Sequence, residues 1–142
     1  VSQNVVVHMS DIHRVYLECV HPEIGKKGMN KFYQIDRYGN EVSIRYGSIG
    51  EKNFEGRPIS AQKVETKTFR TSREAEAFLI KQMRSKTNPK GKTMKDTSYD
   101  PPRTIPKPPY KVLFDEVGGF DIRAIRGKKG VINFTMFNDD FI

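Results

Sequence analysis

Apolar and polar residues alternate through most of the first seventy positions, and a period of two is the pattern of half-buried strands. Over 12–20, Val15, Leu17 and Cys19 fall on one side and Tyr16 and Glu18 on the other. Over 31–37, Phe32, Gln34 and Asp36 alternate with Tyr33 and Ile35. Over 41–46, Val42, Ile44 and Tyr46 share a face. The turn Tyr38-Gly39-Asn40 separates the last two runs, so they predict a hairpin. Residues 21–29 and 47–60 are rich in Gly and Pro and read as loops. Residues 62–69 read as a half-exposed strand, with Val64, Thr66 and Thr68 opposite Lys63, Glu65, Lys67 and Phe69.

The period then changes. Thr71-Ser72-Arg73-Glu74 has the form of a capping box, in which the hydroxyl satisfies a free backbone N–H at a helix start. Ala75, Phe78, Leu79, Gln82 and Met83 follow at helical spacing and form one mostly apolar face. Lys81, Arg84 and Lys86 gather toward the C-terminal end, where the helix dipole favours cations. Asn88-Pro89 and Gly91 stop the helix.

A long polar stretch over 87–111 ends in Pro101-Pro102, Pro106 and Pro108-Pro109. Proline at this density predicts an extended connector laid across the domain, with a PxxP interaction peptide at 106–109 as the rival. Three strand-like runs follow, over 111–117, 120–126 and 131–137, separated by Gly turns. About 30 residues are too few for a good core of their own. These runs are therefore expected to extend the first sheet or to dock on a partner.

Charge changes the picture. The net charge is +8, and residues 1–97 carry 18 Lys and Arg against 11 Asp and Glu, a net of +7. A concentrated positive field favours polyanions, although a lysine-rich solvated surface gives the same count. Nine Phe and six Tyr argue against wholesale disorder. Cys19 is the single cysteine, so neither an intrachain disulfide nor a multi-cysteine zinc site is available, and a reducing compartment fits. No apolar run approaches a membrane span.

Tyr46-Gly47-Ser48-Ile49-Gly50 comes directly out of the predicted hairpin. Around it stand Asn30-Lys31-Phe32-Tyr33, then Lys67-Thr68-Phe69, Ala75 with Phe78, and Lys86-Thr87-Asn88. In this order and spacing, residues 12 to about 95 resemble the WGR domain found in DNA-damage-sensing poly(ADP-ribose) polymerases and small bacterial proteins. The resemblance implies a DNA-binding, non-enzymatic module in an intracellular, DNA-repair setting, in the nucleus or the bacterial nucleoid. Two signature positions depart from the pattern: Tyr46 stands for the Trp and Ser48 for the Arg. Tyr46 can still stack on a base, and its plainer reading is a core aromatic of the hairpin. Ser48 brings no charge, so one charge-assisted contact is lost. Gly47 and Gly50 leave room for backbone N–H groups to approach an anion.

The expected nucleic-acid-binding residues are therefore Arg45, Tyr46, Gly47, Ser48, Gly50, Lys52 and Lys67. No catalytic residue, metal or cofactor is implied: His8, His13 and His21 lack ligand spacing, and Lys90-Gly91-Lys92-Thr93 lacks the upstream glycine of a P-loop. The expected fold is α+β: a twisted antiparallel sheet with one packed helix, WGR-like, plus a C-terminal β-strand extension. The chain divides into an N-terminal tail or appended remnant (1–11), the WGR-like domain (12–97), a Pro-rich linker (98–110) and the β extension (111–142). The expected partner is nucleic acid, DNA ahead of RNA, with no membrane and with 98–142 free for a protein partner. The rival function is an adaptor that keeps the fold and has lost DNA contacts. The final residues, Asn138-Asp139-Asp140-Phe141-Ile142, resemble over a short stretch the acidic docking tip of bacterial single-stranded-DNA-binding proteins. A frayed end or last strand is the plainer reading.

Overall fold

The computed structural model describes residues 11–123. The expected strand at 131–137 and the acidic tip lie outside them. The chain order is β1 (Ile12–His21), β2 (Met29–Tyr38), β3 (Glu41–Ser48), β4 (Lys63–Thr68), α1 (Ser72–Thr87), β5 (Thr93–Asp96), β6 (Arg103–Pro106), β7 (Lys111–Val117) and β8 (Phe120–Asp121). Six strands form one antiparallel sheet in the order β4-β3-β2-β1-β7-β8, and β5 pairs with β6 in a separate hairpin. The architecture is α+β, an antiparallel sheet with a single helix among the described residues. No helix there is long and apolar enough to cross a membrane.

The alternation read from the sequence decides what each face covers. Val15, Leu17, Tyr33, Ile35, Val42 and Ile44 point to one face and form a core with Ala75 and Leu79 of α1. Each fully buried aliphatic side chain of this kind contributes about 1.5–3 kcal/mol. Tyr16, Phe32 and Phe114 stack on the other face, where the 49–62 loop covers them. Arg57 from that loop lies 5.0 Å over the Phe114 ring and pairs with Glu116.

Local chemistry sets the turns. Gly39 has φ +61 while Asn40 does not have positive φ, the sign pattern of a two-residue II′ hairpin turn. Asn40 Nδ2 then donates to the Phe69 carbonyl at 2.8 Å, which anchors the turn to the end of β4. Thr71 caps α1, its Oγ1 accepting from Glu74 N–H at 3.1 Å. The Glu74 carboxylate lies 3.6 Å from Arg70.

The C-terminal segment joins the sheet: β7 pairs with β1 over His13–Val117 to Glu18–Lys111. The register slips between Tyr16 and Leu17, because Phe114 and Val112 are their partners and Leu113 is the extra residue. This bulge lets Val112 face the helix side while Phe114 faces the loop side. The Pro-rich stretch carries strand β6 and then runs as an extended strap. Tyr110 N–H donates to the Lys86 carbonyl and Lys107 N–H to the Lys92 carbonyl, each at 2.9 Å.

One polar cluster is sealed into the helix side. His13 is fully buried between Asp115 of β7 and Glu76 of α1. Glu76 also accepts from Arg37 of β2 at 2.9 Å. Four elements are thus tied through one imidazole and one carboxylate.

Candidate nucleic-acid interface

Tyr46 lies at the end of β3, opposite Tyr33 on β2 and Lys63 on β4. Its ring centroid is 5.6 Å from that of Tyr33, whose ring is 6.3 Å from Tyr110 at an edge-on angle of 65°. Burial, then the Glu65 charge, pushes the Tyr33 hydroxyl up to about 12. Burial also raises the Tyr110 hydroxyl. Tyr33 and Tyr110 therefore stay neutral at physiological pH. Tyr46 packs against the core on one side and lines an open cleft on the other.

That cleft has a volume of about 380 Å³ and runs between the end of β3 and the Pro108 strap. Tyr46 and Tyr110 form apolar walls, and Lys31, Lys86 and Lys107 bring cations to it. Lys86 Nζ sits 4.6 Å from the Tyr33 centroid and 5.7 Å from that of Tyr110. A second cleft of about 460 Å³ adds Lys90 and Lys92 and shares Lys107. A narrow space lined by Lys86, Lys92 and Lys107 lies between the two groups. Among the described residues, Lys31, Lys86, Lys92 and Lys107 form no ion pair. The end of α1 does not oppose an anion strongly, because Met83, Arg84 and Lys86 carbonyls already accept from Thr87, Asn88 and Tyr110.

Of the residues expected from sequence, Tyr46, Gly47 and Ser48 line this cleft. Gly47 has φ +149, and a Cβ there would lie 1.3 Å from Gln62 Oε1. That oxygen accepts from Ser48 N–H at 2.5 Å. The glycine therefore makes room for Gln62, and the Ser48 N–H is taken by it. Arg45 points to the opposite face, where it donates to the Pro58 carbonyl and lies 5.5 Å from the Phe32 centroid. Lys52 is on that side too, 2.6 Å from Glu18. Lys67 is on the helix side, yet its Nζ rests 4.8 Å from Phe78, away from the cleft. Gly50 is exposed, with nothing near its missing Cβ, and does not line the cleft.

Sequence reasoning did not single out Lys31, Lys86, Lys92 or Lys107 as contacts. Lys31 and Lys86 do stand inside the motif segments Asn30-Lys31-Phe32-Tyr33 and Lys86-Thr87-Asn88, which is the signal that could have found them. Lys92 and Lys107 meet through a backbone hydrogen bond across the hairpin base, for which the sequence carries no marker. The chain matches no family model, no curated protein and no solved structure.

Proposed function

We propose that the chain is a small nucleic-acid-binding module of WGR type that takes DNA ends, nicks or single strands. The observation that carries this reading is the cleft where Tyr46 meets Lys31, Lys86 and Lys107, with Lys92 in the adjoining space, and no carboxylate pairs with any of the four. On the loop face, by contrast, Arg57 is paired with Glu116 and Lys52 with Glu18. An uncompensated basic rim around aromatic walls suits a polyanion that also offers flat bases. The order of the motifs in the sequence supports the WGR assignment, with Tyr46 in the position of the stacking aromatic.

The test is a titration against blunt, nicked and single-stranded DNA at two salt concentrations. Neutralising four phosphates of a single strand gives a log K against log salt slope of about −3. Lys31→Ala and Lys107→Ala should each flatten that slope by roughly 0.7. No retention of any nucleic acid at low salt overturns the proposal. The adaptor reading would then rest on the apolar side chains outside the cleft, foremost Phe54, which is 99% exposed.

A further inference from the structure

Lys86 is the most unusual cation of the cleft. Its stem is half-buried, its Nζ lies over two tyrosine rings, and it has no carboxylate partner. Ring faces attract an ammonium, whereas lost water and like charges disfavour it. Here the second pair of effects wins: burial first, then Lys107, Lys92 and Lys31, holds Lys86 below the usual lysine range. A lysine desolvated beside other cations offers a larger share of neutral amine, which is the nucleophilic form. Lys86 also lines the open cleft, the space that a reactant would enter.

We propose that Lys86 condenses with the aldehyde of a ring-opened, base-less sugar in a nucleic-acid strand held in this cleft. This inference rests on the nucleic-acid reading above. The Nζ lone pair adds to the aldehyde carbon, and the resulting carbinolamine expels its oxygen as water. The amine gives up two hydrogens, the aldehyde its oxygen, and a C=N bond replaces the C=O bond. No oxidant or reductant takes part. Lys31 and Lys107, in the same lining, supply cations for phosphates flanking the sugar. A nucleotide without its base has no ring to place on Tyr46, so its sugar is free to settle toward the amine.

The experiment incubates the full chain with a single-stranded oligonucleotide carrying one abasic aldehyde and cyanoborohydride, which reduces an imine to a stable amine. The modified lysine is then mapped by peptide mass spectrometry. The expected adduct lies on Lys86, falls at least about tenfold in Lys86→Arg, and persists in Lys95→Arg, an exposed position outside the cleft. Its rate should rise with pH through an inflection below about 10.4, the ordinary lysine value. An adduct spread evenly over many lysines overturns the inference, as does one that survives Lys86→Arg. Ribose 5-phosphate at the same aldehyde concentration tests plain amine reactivity, and an equal yield also overturns it. The tetrahydrofuran analogue of the abasic site, which has no aldehyde, separates the two proposals. If the analogue binds and the aldehyde gives no adduct, only the imine falls. If neither binds at low salt, both fall.

Discussion

His13 Nε2 lies 2.7 Å from Asp115 Oδ1, while its Nδ1 lies 2.9 and 3.0 Å from the two oxygens of Glu76. A ring with a carboxylate on each nitrogen donates from both, so it is an imidazolium. Burial by itself lowers the His13 pKa, but the hydrogen bonds to Asp115 and Glu76 outweigh it and the net direction is upward from 6.5. The contribution of His13 to stability is therefore complete below pH 6.5 and is lost as pH rises through its folded value. Glu76 runs the other way. Burial opposes its charge, His13 and Arg37 favour it, and its pKa falls below 4.5. Its contribution is present above pH 4.5 and lost as pH drops through the folded value. Melting temperatures across pH 4–9 should show a plateau between these limits and a decline on the alkaline side. His13→Gln should flatten that decline and cost about 3–5 kcal/mol, because two carboxylates lose their shared partner. The difference between parent and variant isolates His13 from Lys86, whose lowered pKa acts in the opposite sense. A parent protein equally stable at pH 6 and pH 9 would contradict the charged clamp.

Tyr46 both packs on Tyr33 and lines the cleft, so its removal should show in two measurements. Tyr46→Ala should lower the melting temperature and weaken DNA binding by roughly 1–3 kcal/mol. Tyr46→Trp should hold or improve affinity through a larger π-face. Ser48→Arg places a cation at the exposed rim and should steepen the salt slope by roughly 0.7–0.9. Paired titrations on linear and circular DNA check the role at ends. Equal loss on both DNAs in Tyr46→Ala would assign Tyr46 to the core alone.

The helix offers a graded stability series. Leu79 is fully buried, whereas Phe78 is only partly buried, against Phe69 at 5.0 Å. Leu79→Ala should cost about 2–5 kcal/mol and Phe78→Ala about 3 kcal/mol, the low end for an aromatic. Thr71→Ala should cost about 1 kcal/mol through the lost cap. Urea melts rank the three, and a neutral Leu79→Ala would mean that α1 does not seat on the sheet.

Deleting 98–142 removes β7 from the side of β1 and leaves His13 without Asp115. The truncated chain should lose its cooperative melt, although its net charge changes only from +8 to +7. A melt unchanged in midpoint and sharpness would show that β7 adds nothing to the sheet.

Strands β1 to β4, the Gly39 turn and the Thr71 cap were legible because each follows from local periodicity or local hydrogen bonding. Even the separation of Arg45 from Tyr46 was legible in principle, since neighbours on a strand face opposite ways. Arg45 and Tyr46 therefore serve opposite faces of the sheet and do not form one site. The lysine cluster was not legible. Lys31, Lys86 and Lys107 come from a strand, a helix end and a strap, and only tertiary placement brings them to one cleft. The bulge at Leu113 was hidden for a similar reason, because it depends on a register with a strand far away in the chain. The β5–β6 hairpin was masked by the prolines, which Pro106 accommodates at the last position of its strand.

The place of β1 between β2 and β7 has a consequence during synthesis. One edge of β1 finds its partner as soon as the next strand is made, but the other waits until Val117 has emerged. At the usual pace of translation that delay is roughly 4–16 seconds. Through it, the row of backbone groups that later binds β7 is an open template for any passing strand. The finished sheet presents β4 along one border, where Lys63, Glu65 and Lys67 discourage such pairing. The nascent chain is therefore most prone to aggregate along the strand that the mature protein shields best.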